Sequence, residues 1–83
     1  MVVTILYNTD YSSQASSLKN AVKDRWSNAS VNMVGLNDSI GGAKYQVQLF
    51  GDIVSRSDTP VDNTTVIDLI NERLWFLEIQ ILK

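Results

Sequence analysis

Apolar and polar residues recur along this chain with two different periods, and the switches between them mark out its elements. Val2-Val3-Thr4-Ile5-Leu6-Tyr7 is almost continuously apolar, β-branched or aromatic, which predicts a central strand. The period then lengthens: Ala15, Leu18, Val22 and Trp26 return at helical spacing, while Gln14, Lys19, Asn20, Lys23 and Asp24 fall on the other side. Asp10, Ser12 and Ser13 are all good N-cap residues, so the helix is expected to start among them. Ser27-Asn28-Ala29 ends it, and Val31 to Leu36 reads as a second strand. A strand-helix-strand unit of this length makes its two strands parallel, with a right-handed crossover.

Asn37 to Ala43 contains Asn, Asp, Ser and two consecutive glycines, a loop by every local signal. Tyr45-Gln46-Val47-Gln48-Leu49 then alternates strictly, placing Tyr45, Val47 and Leu49 on one side and the glutamines on the other. Phe50-Gly51-Asp52 can turn the chain tightly, and Ile53 to Arg56 returns as an antiparallel partner. After the turn and cap signals of Ser57 to Asp62, a helix from Asn63 or Thr64 carries Ile67, Ile70, Leu74 and Leu77 along one stripe.

The C-terminus breaks this economy. Leu74, Leu77 and Ile81 form one apolar line on a helix, and Trp75, Ile79 and Leu82 form another, more than one core face can use. Leu77-Glu78-Ile79-Gln80-Ile81 also alternates with period two and can be read as a short edge strand. Helix is the preferred reading because no turn residue intervenes after Arg73. The expected fold is α/β (α+β), in the thioredoxin-like order β-α-β-β-β-α. The alternative is a ferredoxin-like β-α-β-β-α-β sandwich, with residues 45 to 56 as one long bent strand and residues 77 to 82 as the last.

Composition narrows the class. Eighty-three residues make one domain, 1–83, with 45% apolar and 19% charged residues, an ordinary globular balance. A chain this short buries only about 60–65% of the surface its unfolded form exposes. Small domains often recruit a disulfide, a metal or a second subunit, and with neither Cys nor His in the sequence, oligomerisation is the device left over. A net charge of −2 and a pI near 4.7, with scattered basic residues, argue against nucleic-acid binding. No apolar run is long enough to span a bilayer, and residues 1 to 20 lack the features of a secretory signal. The sequons at Asn28, Asn37 and Asn63 are read as a by-product of a chain rich in Asn, Ser and Thr.

Catalytic chemistry finds little to stand on. Asp10 reads as a cap, no His exists to serve as its partner, and Asp58 and Asp62 look like turn and cap residues. No metal-ligand spacing occurs, and Gly41-Gly42 leads into a strand pattern instead of the helix a phosphate cradle needs.

The stretch Tyr7-Asn8-Thr9-Asp10-Tyr11, between first strand and first helix, has the frame of a Tyr-Cys-x-x-Cys redox motif. Gly41-Gly42-Ala43-Lys44-Tyr45-Gln46-Val47, Gly51, Ile53 to Ser57 and Pro60 continue the likeness. Over residues 2 to 75 the chain resembles the selenoprotein W/T/H (Rdx) family of thioredoxin-like proteins, as a divergent member lacking the redox cysteines. The resemblance puts Asn8 and Tyr11 at the two redox positions. Neither side chain can perform disulfide exchange, since that chemistry needs a thiolate. The expectation is therefore a non-enzymatic protein-interaction or structural, self-assembling protein built on a redox-inactive thioredoxin-like scaffold. Its partner would be another protein or another copy of itself, with no cofactor, and its candidate contact residues are Trp75, Phe76, Ile79 and Leu82. The alternative is a selenoprotein W-like redox accessory that binds a thiol protein without cysteines of its own.

Overall fold

The computed structural model describes residues 1–38 and 42–82, with side chains as far as Ile79; Leu82, as a contact residue, and Gly41 lie outside the described set. Four strands, β1 (Val2–Asn8), β2 (Ser30–Leu36), β3 (Tyr45–Leu49) and β4 (Asp52–Ser57), form one sheet in the order β2-β1-β3-β4. Two helices, α1 (Ser12–Arg25) and α2 (Asn63–Leu82), complete it. The chain is thus an α+β domain with the expected order β-α-β-β-β-α. β1 pairs parallel with β2 and antiparallel with β3, and β3 and β4 form the antiparallel hairpin. Residues 77 to 82 continue α2, so the last strand of the ferredoxin-like alternative does not form.

One sheet face carries the core. Val3, Ile5, Tyr45, Val47 and Leu49 are paired across β1 and β3 in register and meet Ala15, Leu18 and Val22 of α1 and Val66 and Ile70 of α2. The opposite face is not fully covered: Val2, Val34 and Leu36 are exposed and Leu6 is half-buried. The continuous apolar run of β1 thus belongs to a strand in mid-sheet order with only one face packed by helices. The α2 stripe is also rotated from the one expected. Val66 is fully buried, whereas Ile67 and Leu74 are partly buried at the margin of the core.

The two helices lie side by side and run in the same direction, because Asn63 Nδ2 donates to Ser17 Oγ at 2.9 Å and Arg25 Nη2 donates to Asn71 Oδ1 at 3.4 Å. α1 stops at Arg25, whose guanidinium lies 4.9 Å from the centre of the half-buried Trp26 ring. α2 goes on. Its residues beyond Asn71 extend roughly 16 Å at 1.5 Å per residue, with no α1 beside them. The molecule is correspondingly drawn out, 42 × 25 × 18 Å.

Candidate functional site

The sequence directs attention first to the turn after β1. Asn8 closes the strand, its backbone N–H donating to the Lys44 carbonyl at 2.8 Å. Its side-chain Oδ1 accepts from the Asp10 N–H at 2.9 Å and so caps a short 3-10 turn, Thr9–Tyr11, that feeds directly into α1. The side-chain cap thus belongs to Asn8 and to the 3-10 turn, and none of Asp10, Ser12 or Ser13 sits at the N-cap of α1. Tyr11 occupies the N-cap position of α1 without a side-chain hydrogen bond there, and the Ser12 hydroxyl donates to the Thr9 carbonyl at 2.7 Å. Asn8 was legible as the key residue of this turn only through the motif frame; its capping role depends on the 3-10 turn, which the helix pattern does not announce.

With Asn8 only 7% exposed and its amide oxygen committed to the backbone, this turn holds a structural hydrogen bond where a thiol-based site would present a reactive sulfur. Tyr11 is half-buried and packs against the core. Among the described residues no group of three or more acidic side chains is placed to hold a metal ion.

The second candidate region is built by α2 and β4. Trp75 is 62% exposed and Phe76 51% exposed, and Leu69 and Ile53 are exposed beside them. These residues, with Val54, Glu72 and Arg73, line an open groove of about 340 Å³ between the helix and the edge strand. Ile79 is half-buried further along the helix. The structure thus brings Trp75 and Phe76 together on one surface, and adds Ile53, Val54 and Leu69, which helical spacing at the C-terminus does not reveal.

Local chemistry explains the groove. β4 carries a bulge, because its pairing with β3 shifts between Val47 and Gln48 and leaves Val54 as the extra residue. After the bulge, Ile53 and Val54 both approach α2. The floor is apolar and the rim charged, with Arg73 Nη2 donating to Asp52 Oδ2 at 3.4 Å. Both groups of that pair are well exposed, so it orients the hairpin against the helix more than it stabilises the fold. The groove thus has Ile53, Val54, Leu69, Trp75 and Phe76 along its floor and Glu72 and Arg73 at its rim. Comparison with protein families, curated proteins and solved structures finds no match to this chain.

Proposed function

We propose that this chain is a non-enzymatic protein-interaction module that assembles through the C-terminal half of α2 and the adjoining edge of β4. The observation that carries this reading is the exposure of two adjacent aromatic rings, Trp75 and Phe76, on a helix that has outrun the helix beside it. Adjacent residues on a helix point about 100° apart, so one core cannot cover both. Water-exposed aromatic area of this size is stabilised when a partner removes it from solvent, and interface energy concentrates in such anchors. The thiol-free turn at Asn8 and Tyr11 supports the scaffold reading, in which the thioredoxin-like order serves as a frame and not as a redox catalyst.

The test is molecular mass by light scattering over a concentration series, for the parent and for the double variant Trp75→Ser/Ile79→Ser. The parent is expected to exceed the monomer mass as concentration rises, and the variant to remain monomeric with an unchanged far-ultraviolet circular dichroism spectrum. A parent that stays monomeric at high micromolar concentration, together with a variant that unfolds, would show that both apolar lines serve the domain's own core and would overturn the proposal.

A further inference from the structure

The sheet has two edges, and only one is defended. β4 is interrupted by its bulge, carries Asp52 and Arg56, and is flanked by α2. These are devices that keep an edge strand from pairing with another chain. β2, which packs against α1, carries neither a bulge nor a charge. Ser30-Val31-Asn32-Met33-Val34-Gly35-Leu36 contains no charged residue and no proline, and it pairs with β1 in unbroken register from end to end. Among the described residues β1 is its one strand partner, and Ser30, Asn32, Val34, Gly35 and Leu36 are all exposed.

The direction of its backbone groups follows from one bond. The Ser30 N–H donates to the Met1 carbonyl at 2.9 Å, so the amides of Ser30, Asn32, Val34 and Leu36 face β1. Those of Val31, Met33 and Gly35, with their carbonyls, therefore point outward along the free edge. We propose that this edge pairs antiparallel with β2 of a second copy, about a two-fold axis through Met33, to make one continuous sheet across both copies. In that register Met33 meets its own counterpart and Val31 meets Gly35, so every outward-facing residue is in a pair that exchanges both backbone hydrogen bonds. Asn32 and Val34 become the intervening non-bonded pair, on the sheet face where Val2, Val34 and Leu36 already lie exposed.

A second copy fits this strand because a two-fold through Met33 pairs every outward-facing backbone group and brings no like charges together. Self-pairing about a two-fold sets a strand against itself, where any charge near the axis would meet a like charge. β2 is uncharged throughout, so no such repulsion arises. This edge belongs to a different strand from the α2 and β4 groove, so the two interfaces succeed or fail separately.

Amide hydrogen exchange of the ¹⁵N-labelled full chain at about 20 µM and about 1 mM tests the pairing. Exchange at Val31, Met33 and Gly35 is expected to slow by about tenfold or more at the higher concentration, while Asn32 and Val34, bonded to β1, stay protected at both. The variant Asn32→Lys/Val34→Lys places like charges opposite one another and should abolish the concentration dependence while leaving the amides that face β1 protected. If that variant unfolds, isotope-filtered contacts between the Met33 protons of labelled and unlabelled parent chains supply the same answer. Exchange at the three outward amides that is equal at both concentrations would overturn the proposal. So would a concentration dependence that survives the lysine variant but disappears in Trp75→Ser/Ile79→Ser, or protection that appears only when an added extended peptide occupies the edge.

Discussion

Tyr45 lies wholly buried under α1, its hydroxyl donating to the Gln14 carbonyl at 3.4 Å. Burial disfavours the phenolate and pushes the group from its ordinary 10.0 up to about 12. The unfolded chain gives up this proton first, so the folded state binds more protons above pH 10 and stability falls as pH rises. The contribution is fully present below about pH 10 and is lost progressively toward about pH 12. Urea midpoints measured through this window should fall more steeply for the parent than for Tyr45→Phe, which has no proton to lose there. Neighbouring Tyr7 shows another constraint at the same scale. Its ring packs over Gly35, where an added Cβ would sit 3.1 Å from the Tyr7 hydroxyl, so the glycine in β2 makes room for a side chain on β1.

At the scale of elements, the β3–β4 hairpin holds an exception to its own chemistry. Leu49 pairs with Asp52, leaving Phe50 and Gly51 as a two-residue loop with φ of 50° and 87°. Such primed turns favour Asn, Asp or Gly because both central residues are left-handed. A phenylalanine there carries the steric cost of Cβ against the following carbonyl, about 1–2 kcal/mol, and the residue is 54% exposed, so packing returns little. Phe50→Asn should therefore raise the urea midpoint, by the equivalent of about 0.5–1 kcal/mol, with the hairpin register unchanged. A lower midpoint would mean that the Phe50 ring makes a contribution in the fold larger than its strain.

For the molecule as a whole, the decisive fact is how few residues hold it. Both helices pack on one sheet face, and Leu18 is among the largest side chains entirely enclosed between them. A domain of this length has a net stability of about 4–12 kcal/mol. Leu18→Ala should remove about 2–5 kcal/mol of that, enough to lower the urea midpoint sharply and to populate unfolded chains without denaturant if the parent lies at the lower end. An unchanged midpoint would show that Leu18 is not part of the supporting core. The same thinness is why the proposed assembly would add stability, since a second copy or partner adds apolar burial to a small core.

Periodicity by itself determined most of the framework. The strict alternation of Tyr45 to Leu49 placed Tyr45, Val47 and Leu49 on the packed face of β3, although Gln46 on the other face is buried as well, and Ala15, Leu18 and Val22 marked the packed stripe of α1, because side-chain direction follows local backbone geometry. The Gly51 turn and the helix after Pro60 were legible for the same reason, as was the excess of apolar residues from Leu74 onward. What periodicity cannot encode is where neighbouring elements end. α1 finishes opposite Asn71 while α2 runs on to carry the exposed Trp75 and Phe76, a relation between two helices distant in sequence. The rotation of the α2 stripe onto Val66, the bulge that carries Val54 toward the helix, and the undefended edge of β2 are likewise properties of assembled neighbours. Local pattern says which residues want burial; only the packed sheet and helices decide which of them obtain it.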